Sequence, residues 1–255
     1  MRSFKVDALE VRVFASGAEL GVHAADLVGG ILRERLAVAG GARMIVATGN
    51  SQGDFLEALV RQGGIDWGKV TVFHMDEYLG LGEQHGASFA RFVRERVVER
   101  VGVGVFHALR GDAELPLVEC ARYGELLGEG GIDVCCLGIG ENGHLAFNDP
   151  GVADFADGFV VKLVKLEREC RLQQVGEGHF GCLAEVPEFA YTLSIPALCN
   201  VGRMVCIVPE GRKAEAVRRA LEGPIEEGCP ASVLRRMGHA VLLLDGESAG
   251  GVSKF

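Results

Sequence analysis

The chain of 255 residues is predicted to form a single doubly wound α/β domain, with a mainly parallel sheet and helices on both of its faces. Short apolar runs alternate with longer amphipathic stretches, which is typical of layered α/β folds. No linker divides the chain, and 48% of its residues are hydrophobic, which is enough for a substantial core. We therefore expect one domain over residues 1–255.

Five short runs have the composition of strands buried on both faces of a parallel sheet. In order they are Met44–Ala47, Val70–Phe73, Ile132–Leu137, Met204–Val208 and Val241–Leu244. Between them, apolar residues recur at helical spacing in Ala18–Ala37, Phe89–Val101, Pro116–Leu127 and Arg212–Leu221. Ligands of such folds bind beyond the carboxyl ends of the strands, so the residues after each run are the candidates for a site.

Charge and composition exclude several classes of partner. The formal net charge is -9 and there is no basic stripe, which argues against a nucleic-acid partner. The net charge does not exclude a phosphorylated metabolite as a ligand, because a few hydrogen-bond donors in one site can outweigh the charge of the whole chain. The eight cysteines form no CxxC pair, so we expect neither a structural zinc nor disulfides. The N-terminus lacks a signal core and no stretch is long enough to cross a bilayer, which predicts a cytoplasmic protein without a membrane partner.

The first candidate loop follows Met44–Ala47 and reads Thr48-Gly49-Asn50-Ser51-Gln52-Gly53. Small residues allow a sharp turn, and amides at a following helix N-terminus bind anions. Thr48 and Ser51 add hydroxyl donors. A plain strand-to-helix turn would look similar, so this loop alone is weak evidence for a phosphate site.

The second loop places two adjacent acids, Asp76 and Glu77, after Val70–Phe73. Neighbours in an extended segment point to opposite faces, so one acid can enter a cleft while the other supports it. A carboxylate held there could move a proton between adjacent carbons. The alternative is a surface turn with acids that cap a helix.

The third segment, Gly138–Pro150, is the most informative one in the chain. Glycines bracket Asn142 and His144, and Asn148-Asp149-Pro150 closes the segment. Histidine is the side chain best suited to proton transfer at neutral pH, and an acid within reach fixes its tautomer. This context favours a catalytic His144 over a structural one.

The fourth segment, Gly211-Arg212-Lys213, begins a helix after Met204–Val208. Lys213 could pair there with a phosphate that already faces helix-end amides. Taken alone, a solvated lysine is the default interpretation.

In order and spacing, these four segments resemble the glucosamine-6-phosphate deaminase/isomerase family across nearly the whole chain. The resemblance implies a fold related to ribose-5-phosphate isomerase, and conversion of glucosamine 6-phosphate to fructose 6-phosphate and ammonia without a metal or organic cofactor. It places Asp76 at the enolisation base and His144 at the residue that opens the sugar ring. Asn142 and Asp149 fall on the positions that support His144. The phosphate site falls on Gly49, Asn50, Ser51 and Lys213.

Two departures from the family pattern bear on the site. Many members carry Glu at the position of Asp149, one methylene longer. The phosphate-binding Arg of the family falls near Gly176, so Arg168 or Arg171 would have to replace it as a bidentate donor.

Three alternatives stay open at the level of the sequence. A related 6-phosphogluconolactonase is disfavoured, because those enzymes typically have Asp-Glu-Arg where this chain has Asp76-Glu77-Tyr78. A non-catalytic sugar-phosphate sensor would not need both Asp76 and His144. A deaminase or isomerase of another phosphorylated sugar, such as galactosamine 6-phosphate, fits the motifs almost as well. The resemblance also leaves the oligomeric state open, so a homo-oligomer is compatible with it.

Overall fold

The computed structural model describes residues 1–253, so the last two residues of the predicted domain lie outside the described range. Its strands are β1 (Arg2–Val6), β2 (Leu9–Phe14), β3 (Ala42–Val46), β4 (Val70–His74), β5 (Asp76–Tyr78), β6 (Val105–His107), β7 (Val134–Leu137), β8 (Val161–Lys165), β9 (Phe189–Leu193), β10 (Arg203–Val208) and β11 (Ala240–Asp245). Its helices are α1 (Gly17–Ala39), α2 (Gly53–Val60), α3 (Phe89–Val93), α4 (Glu99–Val101), α5 (Pro116–Gly128), α6 (Arg168–Gly176), α7 (Ile195–Cys199) and α8 (Ala214–Glu222).

Eight strands form one sheet in the order β1-β2-β11-β10-β7-β3-β4-β6. Only the β1–β2 pair is antiparallel, and the other pairs are parallel. The prediction of a mainly parallel sheet is therefore confirmed, and all five predicted runs lie in it. The N-terminal hairpin and β6 were not predicted.

Helices cover both faces of the sheet, as its alternating side chains require. Along β10, Val205 and Ile207 pack in one core cluster with α1 and α2. Met204, Cys206 and Val208 pack in another with α5 and α8. Because successive side chains of a strand point to opposite faces, one apolar run contributes to both cores.

Two predicted helices differ in detail from regular α-helices. The predicted Phe89–Val101 is one helical stretch, but Arg94–Val98 forms a π-helical turn between α3 and α4. The predicted Arg212–Leu221 begins as a 3-10 turn at Gly211–Lys213 before α8. Among residues 1–253, no helix combines the length and apolarity that a membrane crossing needs.

A second sheet of three antiparallel strands, in the order β5-β9-β8, lies after the end of β4. Met75 alone separates β4 from β5, and Asp76 of β5 stands opposite Thr192 of β9. This small sheet was not predicted. It holds the Asp76–Tyr78 segment as a buried strand and not as a surface turn. The capping part of the alternative holds for Glu77, which accepts N–H groups from the first turn of α3.

Candidate active site

A cleft opens at the carboxyl ends of four neighbouring strands, β10, β7, β3 and β4. Of the predicted site residues, it is lined by Gly49, Ser51, Asp76, His144 and Lys213. Each follows a different strand of the parallel sheet, apart from Gly49 and Ser51, which share the loop after β3. Parallel strands end on the same edge, so residues up to 164 positions apart in the chain meet there.

Asp76 is buried, with 7% of its surface exposed, and its Oδ1 has no hydrogen-bond partner among the described residues. Burial raises the pKa of Asp76 well above its usual value, and the neighbouring carboxylate of Glu77 raises it further. A carboxylate that lacks solvation and partners is a stronger base than one in water. The unpartnered oxygen of Asp76 can therefore accept a proton or a hydrogen bond from a ligand in the cleft.

Glu77 points away from the cleft and is fully engaged by the start of α3. Its carboxylate accepts hydrogen bonds from the Ser88 hydroxyl at 2.7 Å and from the backbone N–H groups of Tyr78, Phe89 and Ala90 at 2.9–3.1 Å. Burial raises the pKa of Glu77 to about 7, although these hydrogen bonds oppose the rise. Asp76 thus lines the cleft, whereas Glu77 is bound to the start of α3.

His144 lies on a tight loop that glycines make possible. Gly143 has φ +94°, and the Gly143 N–H donates to the carbonyl of Gly140. A Cβ on Gly140 would lie 2.1–2.4 Å from three atoms of the imidazole, so only glycine leaves room for the ring. The glycines therefore allow the backbone turn and also leave space for the His144 ring.

The Nδ1 atom of His144 faces two oxygens. It lies 2.8 Å from Oδ1 of Asn142 and 3.1 Å from Oδ1 of Asp149. Both are acceptors, so Nδ1 carries the proton and Nε2 is the free base. The side-chain amide of Asn142 also donates to Asp149 at 2.9 Å, which closes a network of the three residues.

Asp149 is completely buried, and its other oxygen accepts the N–H of Glu167 at 3.1 Å. Burial alone would raise the pKa of Asp149, but the hydrogen bonds from His144, Asn142 and Glu167 lower it below its usual value. The shorter side chain thus still reaches the imidazole. Asn142 and Asp149 do not line the cleft; they position His144 from behind.

The Lys213 end of the cleft has the features of an anion site. Lys213 is 3% exposed, and among residues 1–253 its ammonium has neither a hydrogen bond nor an ion pair. Burial lowers the pKa of Lys213. Gly49 and Ser51 line the same cleft, whereas Asn50 is exposed and donates its side-chain amide to the carbonyl of Glu177 at 3.0 Å.

Neither arginine that the sequence offered as a phosphate ligand reaches this end. Arg171 donates to the carbonyls of Leu183 and Val186, at 2.9 and 2.7 Å, and Arg168 is exposed outside the cleft. In the segment where the family arginine was expected, the cleft is lined instead by Gln173, Gln174 and Glu177. Glu177 was not predicted as a site residue, because its place in the cleft depends on how α6 packs over the ends of the strands.

Three of the described residues form a group that could bind a metal: His144, Asp149 and Cys170. Their potential ligand atoms lie within 4.8 Å of one another. Nδ1 of His144 already bonds Asp149, and burial raises the pKa of the Cys170 thiol well above its usual value. These contacts favour a proton-transfer role for the group. Our expectation of a metal-free and cofactor-free reaction stays a prediction.

Comparisons with known proteins identify the family. The family model described as glucosamine-6-phosphate isomerases/6-phosphogluconolactonase matches residues 15–155. A glucosamine-6-phosphate deaminase of an Exiguobacterium species is 33% identical over 219 residues, 86% of this chain and 84% of the relative. The glucosamine-6-phosphate deaminase of Rhodococcus opacus is 32% identical over 94% of this chain and 92% of its own.

Solved structures of similar proteins have the same fold as this chain. A monomeric glucosamine-6-phosphate deaminase superposes with a TM-score of 0.86 at 28% identity, over 94% of this chain and 99% of its own. A 6-phosphogluconolactonase from Shewanella baltica superposes with a TM-score of 0.77 at 20% identity, over 95% and 97% of the two chains, which supports the fold alone. With the family model matching more than half of its residues, the chain belongs to the family of glucosamine-6-phosphate isomerases and 6-phosphogluconolactonases.

Proposed function

We propose that this protein is a glucosamine-6-phosphate deaminase, which converts glucosamine 6-phosphate and water to fructose 6-phosphate and ammonia. One observation carries the proposal: a buried carboxylate with an unpartnered oxygen, a tautomer-fixed imidazole and an unpaired lysine line one cleft. Deamination by isomerisation needs these three groups, a carbon base, an acid–base for the sugar oxygens and a cation for the phosphate. Relatives over most of the chain carry this name.

The reaction begins with the closed sugar ring. Nε2 of His144, the unprotonated nitrogen of the imidazole, takes the proton of the anomeric hydroxyl and delivers it to the ring oxygen, as the bond between that oxygen and C1 breaks and C1 becomes an aldehyde. The imidazolium that forms is stabilised by Asp149 and Asn142, which hold the opposite nitrogen. The support behind His144 thus favours the charged form that the step requires.

Proton transfer between carbons follows in the open chain. Asp76 takes the C2 proton while a proton of the substrate's ammonium group passes to the C1 oxygen, which gives an enolamine. Asp76 then returns its proton to C1, and the carbon bearing nitrogen becomes a protonated imine. Water adds to that imine and ammonia leaves, which yields the ketose. Since the pKa of Asp76 is raised, its carboxylate is basic enough to take a proton from carbon next to a carbonyl or imine.

Lys213 holds the phosphate at the far end of the cleft and so fixes the sugar against both proton-transfer groups. The substrate's charge is recognised locally, in spite of the net charge of the whole chain. Such positioning away from the reacting carbons supports the rate as well as the affinity.

Ammonia release from the purified protein tests the proposal, with glucosamine 6-phosphate and galactosamine 6-phosphate supplied separately. We expect release from the glucosamine compound, and its loss in Asp76→Asn. Asp66→Asn makes the same change at an exposed turn far from the cleft and should keep the activity. Release from neither compound by folded protein would refute the proposal. Release from the galactosamine compound alone would assign the other sugar.

A further inference from the structure

The carboxylate of Glu177 lies inside the cleft at the end where Lys213 lies. Its side chain is only 6% exposed, and its Oε2 lies 3.6 Å from the position that a Cβ on Gly49 would take. A buried acid next to the proposed phosphate site is unexpected, because a phosphate and a carboxylate repel each other. Its contacts show what it can do there.

The two carboxylate oxygens of Glu177 have different surroundings. Oε1 accepts hydrogen bonds from Arg212 at 3.0 Å and from Gln173 at 2.9 Å. Oε2 has one partner among residues 1–253, Nε2 of His179 at 3.5 Å, a contact too long for a strong hydrogen bond. The carboxylate is thus held rigidly by one oxygen and presents the lone pairs of the other.

A carboxylate oxygen that faces a cleft favours ligands that can donate a hydrogen bond to it. A fully deprotonated phosphate ester has only acceptor oxygens, so one of them would face the acceptor oxygen of Glu177 and the two would repel each other. A singly protonated phosphate ester carries one P–OH, which can donate to a carboxylate while its other oxygens accept from Lys213 and Ser51. We propose that Glu177 is a specificity-determining residue that accepts a hydrogen bond from the P–OH of the substrate phosphate. The inference rests on the proposed sugar-phosphate function.

The proton must belong to the ligand and not to Glu177. Burial would raise the pKa of Glu177, but His179, Gln173, Lys213 and Arg212 lower it to about 2. The second ionisation of a phosphate monoester lies near pH 6. Affinity for the ester should therefore rise as the pH falls through about 6, where the monoanion becomes the main form.

Several charged or titratable groups face Glu177 and could also respond to pH. They are Lys213 in the cleft, Arg212 behind it, His179 on the following turn, and the carboxylates of Glu141 and Glu210 that share Arg212. Protonation of His179 would favour any anion. A probe that cannot donate a hydrogen bond separates that general effect from the one proposed.

Inorganic phosphate and sulfate provide the test, measured by calorimetric titration of the purified protein. Phosphate keeps at least one O–H at neutral pH and sulfate has none, although the two anions are alike in size. We expect the protein to bind phosphate roughly tenfold more tightly than sulfate, because sulfate leaves an acceptor of Glu177 unpaired. Glu177→Gln, which can donate to a bare oxygen, should abolish this preference. Glu210→Gln also removes a carboxylate from Arg212 but lies outside the cleft, and should retain it.

A second measurement needs no variant. Glucose 6-phosphate should bind more tightly to the unaltered protein as the pH falls from about 8 to about 5.5, whereas sulfate should change little. Equal binding of phosphate and sulfate, or a parallel pH response of sulfate and the sugar phosphate, would overturn the inference. Ammonia release is measured separately, so a deaminase without anion preference refutes this inference and leaves the proposed function standing.

Discussion

The imidazole of His144 is held by three residues that lie within ten positions of one another in the sequence. Its Nδ1 faces Asn142 and Asp149, and Gly140 leaves space for its ring. The family resemblance placed Asn142 and Asp149 beside His144, and their contacts with the ring form within the Gly138–Pro150 loop. The distance from Asp149 to the ring could not be predicted, since it depends on the loop's turn.

At Asp149, the oxygen that faces Nδ1 fixes the tautomer of the catalytic ring. Asp149→Asn should lower kcat by about 10²–10⁴-fold, because an amide can present its N–H to Nδ1 and shift the proton to Nε2. Asp149→Glu, which restores the side chain that many members carry, should lose far less activity. Steady-state ammonia release measures both. Equal losses in the two variants would contradict a role in the tautomer and indicate a purely structural one.

The pKa of Asp76 determines the acid side of the pH profile. The carboxylate is a base only when ionised, so kcat/KM should fall as the pH drops through its raised pKa, well above the usual carboxyl value of about 4. Glu77→Gln removes the neighbouring charge and should move this limb to lower pH. A pH series of initial rates checks both statements. An acid limb at the ordinary carboxyl value of about 4 in the unaltered protein would contradict a raised pKa at Asp76.

Among the elements, β5 and α3 are joined by the Glu77 carboxylate. It accepts one hydroxyl and three backbone N–H groups, two of which belong to the first turn of α3. Glu77→Gln places an amide donor against these donors and should lower the free energy of unfolding by about 3 kcal/mol. Ser88→Ala, which removes the cap of α3 and one of the four donors to Glu77, should cost about 1 kcal/mol. Urea unfolding measures both, and equal costs would show that Glu77 acts only through Ser88.

Prediction from the sequence succeeded for the elements with strong periodicity. The central strands are continuous apolar runs, and the loops after them supplied most of the cleft. The strand β5 has only three residues and pairs with a partner more than a hundred positions away, so no local pattern predicts it. Glu177 was missed for a related reason: beside a helix end an acid is normally solvated, and only the packing of α6 over the strand ends buries it.

At the scale of the whole molecule, the two cores share every central strand. Residues of β7, β10 and β11 alternate between them, so neither core can unfold without the other. This supports the single domain that the sequence predicts, which remains a prediction.

Trp67 makes the single domain testable, because it is the only tryptophan and is buried in the core that contains α1 and α2. Its fluorescence, the far-ultraviolet circular dichroism and the ammonia-releasing activity should be lost at the same urea concentration, with one midpoint. Leu221→Ala, in the opposite core, should lower that midpoint for all three signals, at a cost of about 2–5 kcal/mol. Separate midpoints would show two independently folding units.

The large sheet is open, and its two edges differ from its centre. An edge strand exposes unpaired backbone groups that can recruit a strand from another molecule. Here one edge is β6, which has only three residues, and the other is β1, which carries the charged side chains of Arg2 and Lys5. Short length and positive charge are both features that discourage edge-to-edge pairing. Copies of this protein that associate should therefore meet through their helical faces, and not by extending the sheet into fibres.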